Sequence, residues 1–309
     1  MQVRSNHQLV FSILFTLFAA ASAQAQIIRE DTLSNWRKSF KAGLNINQAA
    51  FSGNWKAGGV NSFGFNTFLN FKADYKKDKD SWNNEIDLLY GMVNNKGQGY
   101  RKTVDRIFID TKYGRSLSKT WDFAASLNFQ SQFARGYTYA KVDTLPDEVS
   151  TLISDAFAPA FITAALGFEY HPTEYFKVRI SPVAPRVTLV KDVERFVTTD
   201  NPTPYGVEPG KFARFEWLAA QVIAEFNKDI AKNVNFKWRY QLFANYETLQ
   251  LKTIDHRFDA NLTAKVNQFI NVTVGGILLY DYDQDPGAQW SQTFSLGVLY
   301  AIQNFKEKK

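Results

Sequence analysis

The chain has three histidines, His7, His171 and His256, and no cysteine, which leaves little from which to build a metal centre or an activated nucleophile. Histidine titrates close to neutrality and so suits general-base work; its neighbours decide whether it is used that way. His7 lies at the edge of an apolar N-terminal stretch, and His171 falls in a turn beside Pro172. His256 shares an alternating apolar face with Ile254, Phe258, Ala260 and Leu262, the position where a membrane phospholipase would carry a Ser–His pair. No serine stands two residues away, and a nucleophile needs its base within hydrogen-bond reach. The expectation is a histidine at an apolar–polar boundary, in a chain that is not an enzyme.

Asp281, Asp283 and Asp285 have the alternate spacing that opens a calcium-binding loop. The pattern then departs: Pro286 stands where such a loop requires glycine, and Gln292 where it carries a bidentate glutamate. A solvated acidic loop is the expectation, and calcium at these three aspartates the competing one. Without a phosphate loop, a nucleotide-binding glycine pattern or a Cys/His cluster, no cofactor is expected. The net charge of +6 and the pI near 9.2 are spread along the chain, which argues against nucleic acid as a partner.

A third group is larger. Lys41, Lys72, Glu85, Asp87, Arg106, Asp110, Lys112, Asp122, Lys177, Arg179, Glu225, Lys237, Arg239, Asp255, Arg257 and Asp259 fall on the polar side of segments whose other side is apolar. Two uses are open. They could line a narrow aqueous passage whose basic groups favour small polar or anionic solutes, or they could satisfy one another across a filled interior.

The elements that position these residues show in the two-residue alternation, which sends successive side chains of a strand to opposite faces. Phe63, Phe65, Thr67, Leu69, Phe71, Ala73 and Tyr75 oppose Gly64, Asn66, Asn70, Lys72 and Asp74. Val234, Phe236, Trp238, Tyr240, Leu242, Ala244 and Tyr246 oppose Asn235, Lys237, Arg239, Gln241 and Asn245. Such segments recur at about 37–48, 61–75, 81–92, 103–114, 121–133, 160–170, 175–189, 212–226, 233–246, 252–264, 268–281 and 291–302. The segment at 175–189 is the least regular, because Pro182 and Pro185 cannot donate to a ladder.

The connections alternate as well. Those after even-numbered segments are short; those after odd-numbered ones are mostly longer, notably 134–159 and 190–211. This is the phase of an outer-membrane barrel with short periplasmic turns, long outer loops and both termini inside. The segments exceed the five or six residues of an average soluble strand, and Trp and Tyr gather near their ends, as in the aromatic girdles of membrane barrels. These features weigh against a soluble β-sandwich. The mean hydropathy of −0.30 and the absence of long apolar runs beyond the N-terminus exclude a helical membrane protein. At the N-terminus, Arg4 and His7 precede the apolar stretch Leu9–Ala20, and Ala21–Ala25 supplies an Ala-x-Ala exit, the pattern of a cleaved secretory leader.

Several stretches go beyond generic patterning: Gly53-Asn54-Trp55-Lys56-Ala57-Gly58-Gly59, Arg101-Lys102-Thr103-Val104-Asp105-Arg106, Ser131-Gln132-Phe133-Ala134-Arg135-Gly136-Tyr137, Ala158-Pro159-Ala160, Leu166-Gly167, Ser181-Pro182 and Tyr205-Gly206-Val207. Together they resemble a family of Bacteroidetes outer-membrane β-barrels classified only as a domain of unknown function. The resemblance spans nearly the whole mature chain and implies a barrel and a location, but no activity.

The sequence therefore predicts an all-β chain, a closed transmembrane antiparallel barrel of about twelve strands over 37–303. A signal peptide (1–25) and a periplasmic segment (26–36) precede it, and a basic tail (304–309) follows. It is placed in the outer membrane of a Gram-negative bacterium, with lipid around it. Either small solutes pass through it as a narrow or gated channel, or it is a non-conducting scaffold for envelope protein partners.

Overall fold

The computed structural model describes residues 26–28, 35–52, 60–141, 148–199, 201–267 and 270–305. The expected leader (1–25), the 53–59 stretch and residues 306–309 of the expected tail lie outside the described residues.

The strands in chain order are β1 (Gln26–Ile28), β2 (Trp36–Ala49), β3 (Ser62–Lys77), β4 (Asp80–Asn95), β5 (Gly99–Ser116) and β6 (Trp121–Ser131). A hairpin of β7 (Gly136–Ala140) and β8 (Val149–Ser154) forms a separate two-stranded sheet. Next come β9 (Ala160–Tyr170), β10 (Phe176–Val183), β11 (Arg186–Leu189), β12 (Ala213–Glu216) and β13 (Ala219–Ala231). The last are β14 (Val234–Asn245), β15 (Asp255–Lys265), β16 (Ile270–Asp281) and β17 (Asp285–Gln303).

β10 with β11, and β12 with β13, each continue one wall strand, and the ring then holds twelve. It runs β2 to β6, β9, β10/β11, β12/β13, β14 to β17, and returns to β2 through the antiparallel pairing of Gly297–Gln303 with Ser39–Asn45. Closure removes the free strand edges that would otherwise template association. One short edge remains where β16, which starts opposite Val298, leaves the end of β17 uncovered. β1 fills it, pairing in parallel with Ala301–Gln303.

Tight turns gather at one rim, for example 78–79 and 232–233, and longer connections at the other, notably 132–159 and 190–212. Two connections expected to be longer are themselves tight. β4 and β5 meet across 96–98, where Gly97 and Gly99 take positive φ of 88° and 70°. β16 and β17 meet across 282–284, so the last strand begins at Asp285 rather than near 291. In both hairpins the backbone ladder runs on beyond the zone of apolar alternation, so the side-chain pattern ends before the strand does.

The proline-bearing strand shows a second departure. A bulge between Ile180 and Val183 places an extra residue opposite β9. Before it, odd-numbered residues such as Arg179 and Ser181 are buried; after it, even-numbered Ala184 and Thr188 are. The facing strand changes parity at the same height, between Glu216 and Ala219, both buried. A bulge reverses which face alternate residues occupy.

The wall is apolar outside and polar inside. Leu44, Leu69, Ile86, Ile109, Leu127, Leu166, Ile180, Leu278, Leu296 and Val298 are exposed, while Asn128, Thr163, Glu169, Arg179, Glu216 and Gln221 are buried. Aromatic pairs ring the short-turn rim: Trp36 with Tyr75, Trp121 with Tyr170, and Tyr175 with Phe226, which stacks on Trp238.

Candidate functional site

The interior charges meet across the barrel as well as along its wall. β4 and β14 stand half a turn apart in the ring, as do β5 and β15. Yet Arg239 on β14 donates to Glu85 Oε2 on β4 at 3.0 Å, and its Nε donates to Glu225 Oε1 on β13 at 2.6 Å. Arg106 on β5 donates to Asp259 Oδ1 on β15 at 3.2 Å and pairs with Asp87 on β4. Asp259 also receives Arg257 Nε and Nη2, at 2.8 and 2.9 Å. Twelve strands roughly 4.8 Å apart and tilted about 40° would enclose a circle roughly 24 Å across. An arginine and a glutamate reaching from opposite walls cannot bridge that distance. The section is therefore flattened, with β4 and β5 drawn toward β14 and β15. The Arg239 guanidinium also lies 4.5 Å from the centre of the inward-facing Phe108 ring.

A second tie stands nearer the long-loop rim. Arg186 Nε donates to Glu216 Oε2 at 2.7 Å and its Nη1 to Asp255 Oδ2 at 2.8 Å, with the guanidinium 3.6 Å from the centre of the Phe243 ring. Above it opens a cavity of about 440 Å³, whose lining includes Arg214, Glu247, Lys252 and Asp283. Below it is a smaller cavity of about 60 Å³, reaching Asn128, Gln241 and Arg257. Arg186, Phe243 and Asp255 line both, so this arginine stands on the partition between them.

Toward the short-turn rim the pairs are Lys112–Glu169 (2.5 Å), Arg179–Asp110 (3.3 Å), Lys177–Glu225 (2.6 Å) and Lys72–Glu85 (3.3 Å), with Lys237 at 3.9 Å from Glu85. Asp122 meets His171 Nε2 at 3.2 Å in the rim turn. Of the charged residues expected to face inward, all but Lys41 thus have an ion-pair partner named here; Lys41 lies opposite Asn70 in register, on the face that carries Glu85. The sequence reading omitted Arg186, Arg214, Glu216 and Glu169. The first three sit beyond the parity change, where strict alternation assigns the wrong face. Pro182 and Pro185 were the available signal.

Asp281, Asp283 and Asp285 do not converge. The Asp281 carboxylate accepts the Asp283 amide at 3.0 Å and the Gln284 side chain at 2.6 Å; Asp283 pairs with Arg214; Asp285 accepts the Gly287 amide at 2.7 Å. Among the described residues no group of three or more His, Asp or Glu is placed to hold a metal ion. His256 lies opposite Leu242 and Tyr280 in register, its Nδ1 2.7 Å from the Tyr240 hydroxyl.

The long-loop rim carries a cap with its own core of Ala158, Val190, Val193, Phe196 and Val207, against which Leu152 and Tyr205 pack. The 190–212 segment leaves β11 and reaches across the mouth to the β16–β17 turn, where the Tyr205 amide donates to Asp283 O at 3.2 Å. The Tyr205 hydroxyl donates to Ile153 O, fastening the segment to the β7–β8 hairpin, and burial pushes that hydroxyl's pKa well above the usual phenol range. Gly206 (φ 71°) leaves room for Arg214, whose guanidinium a side chain there would strike. Asp155 receives Arg195 at 2.9 Å and Arg135 at 3.4 Å. Burial raises its pKa, but the Ala156 amide and the two guanidinium groups outweigh that and hold it below the ordinary carboxylate value.

A family model described as "Protein of unknown function (DUF3078)" matches residues 46–137. No curated protein is matched. Similar solved structures include the COG4313 outer membrane channel from Pseudomonas putida F1, at 9% identity and a TM-score of 0.37, with 92% of this chain and 98% of that one covered. Another is the NanC porin, at 10% identity and 0.39, covering 85% and 98%. A third is the translocator domain of the autotransporter NalP from Neisseria meningitidis, at 9% identity and 0.34, covering 96% and 95%. Likenesses this distant leave the chemistry to be argued from the residues themselves.

Proposed function

We propose that this chain is an integral outer-membrane β-barrel that passes small polar solutes through a constricted, gated lumen. Residues 1–25 act as its export leader, and both termini lie in the periplasm. The observation that carries the membrane reading is the inverted wall. Around a closed ring, Leu, Ile, Val and Phe face outward while the ion pairs stand inside. In hydrocarbon a closed barrel satisfies every backbone group internally, and an apolar outer band is what lipid requires. Turns are tight at the rim where the chain's described ends lie, the periplasmic rim in such barrels.

Gating is supported by what fills the lumen. A barrel that needed only to be plugged gains as much or more from apolar packing as from buried ion pairs. Here water-accessible space stands on both sides of salt-bridged ties, the outer cavity of about 440 Å³ on one. On the other are lysines with 36% (Lys72), 39% (Lys237) and 44% (Lys177) of their side chains exposed. Ion pairs exchange partners without leaving a void, and the cap strap crossing the mouth adds a second point of control. At the central tie Arg106 and Arg257 face Asp87 and Asp259, two charges of each sign, so this constriction favours neither sign of solute.

Planar bilayers containing the purified full chain test this. Small discrete conductance steps are expected, larger in a Glu85→Gln/Arg239→Gln pair. A barrel that is folded and silent in both forms overturns the channel. The packed cap core favours a second reading, a scaffold docking envelope proteins. A silent barrel that co-purifies with one protein, and loses it when Tyr205→Ala loosens the cap, would establish that instead.

A further inference from the structure

The short-turn end of the lumen departs from the charge balance of the middle. There, two carboxylates serve four cations. Glu85 receives Lys72 at 3.3 Å, Lys237 at 3.9 Å and Arg239 at 3.0 Å; Glu225 receives Lys177 at 2.6 Å and also Arg239. The carboxylates lie beneath, at 12% and 17% exposure, and the three lysines are the water-facing layer. Lys72 and Lys237 both approach the same oxygen, Glu85 Oε1. Their ammonium groups therefore crowd one another, and like charges held this close repel. Each ammonium carries three donors. Among the described residues the only ionic contact of Lys237 is the one at 3.9 Å, beyond hydrogen-bonding distance, and 39% of its side chain is exposed.

We propose that Lys72, Lys177 and Lys237, backed by Arg239, form a binding site for a small multivalent oxyanion of the phosphate type. The excess of positive charge suits a multivalent anion, and lysine binds phosphate as a point charge. The lysines come from three separate wall strands, β3, β10 and β14, and surround the ligand rather than face it from one side. Salt bridges to Glu85 and Glu225 fix the stems in place, which lowers the entropy lost on binding. Low-dielectric walls strengthen the positive field at the site itself. Nearer the rim, Asp74 and Asp229 accept hydrogen bonds from Asn83 and Asn235, each at 2.9 Å, and Asp122 faces His171 at 3.2 Å. The site deepens the channel reading in naming a solute class, but it requires only that this mouth admit solute.

Calorimetric titration of the detergent-purified full chain with inorganic pyrophosphate at low ionic strength tests the proposal. Saturable binding of one pyrophosphate per barrel is expected. Lys72→Gln/Lys237→Gln should weaken it by about tenfold or more, for the loss of two charge-assisted contacts. Lys228→Gln should leave it unchanged; that lysine lies near the same rim, over the Tyr175 ring. Heat-modified gel mobility verifies that each variant is folded. Should the double variant not fold, Lys177→Gln alone must weaken binding by about threefold. Absence of saturable binding to the parent chain, equal affinity in the lysine variants, or an equal loss in Lys228→Gln overturns the site. A barrel that conducts chloride but ignores pyrophosphate loses this site and keeps the channel; one that binds pyrophosphate but never conducts does the reverse.

Discussion

The centre of the lumen and its short-turn end use the same residue types to opposite effect. At the centre one guanidinium is held by two carboxylates from different strands, as Arg106 is by Asp87 and Asp259, and the pairs tie opposite walls together. At the end one carboxylate is shared among several cations, and the ammonium groups face water. The ratio of partners, more than the residues themselves, separates a structural tie from an available charge.

The contrast breaks most visibly at Arg239. Arg239→Met should cut the hydrogen-bonded tie from β14 to β4 and β13, leaving Glu85 Oε2 and Glu225 Oε1 without that donor, and cost about 3 kcal/mol in detergent unfolding, while Lys177→Met, half-exposed at the end of the lumen, should cost about 0–1 kcal/mol. Equal losses would show that the two regions are one network. Arg186→Gln comes next: it removes the partition between the two cavities and should cost about 1–3 kcal/mol. Bilayer conductance should rise with it, and unchanged conductance would place the narrowest point at the Arg106 and Arg239 ties instead.

A weaker effect is expected from pH on the cap. The Asp155 pKa is lowered in the folded protein, so its contribution is fully present above the ordinary carboxylate value, about 4, and is lost as pH falls through the lowered one. Protease sensitivity of the β7–β8 hairpin should rise only below that range, and Asp155→Asn should remove the dependence. Least of all, His256→Phe, against Tyr240 on the outer wall, should change stability by no more than about 1 kcal/mol.

Where the backbone keeps strict alternation, as in β3 and β14, the strand itself was legible in the sequence. Register carries Lys72, Glu85, Lys237 and Arg239 to the interior for that reason. Legibility ends where the backbone departs from a period of two. The bulge after Ile180 hides Arg186, and the break before Ala219 hides Glu216 and Arg214. It ends again at the hairpins of 96–98 and 282–284, whose ladders outlast the apolar pattern. The cross-lumen partners could not be read at all. Which opposite strands touch depends on how far the ring is flattened, a property of the whole wall rather than of any segment in it.

The junction of β17 with β2 is a seam between the two ends of the polypeptide. The Lys38 amide donates to Asn304 Oδ1 at 2.6 Å and its carbonyl accepts the Asn304 amide at 3.1 Å, across 266 residues of chain. Among the described residues every other antiparallel pairing of wall strands joins neighbours in the order of the wall, as hairpins can; this one, with β1 laid beside it on β17, waits for all of them. Folding is thus expected to end in a single slow long-range step, and until it is complete two strand edges stand open to other chains. A circular permutant opened at the 96–98 turn, with the old ends linked, would move that waiting step to β4 and β5 and show whether the place of the seam, or only its presence, sets the pace of assembly.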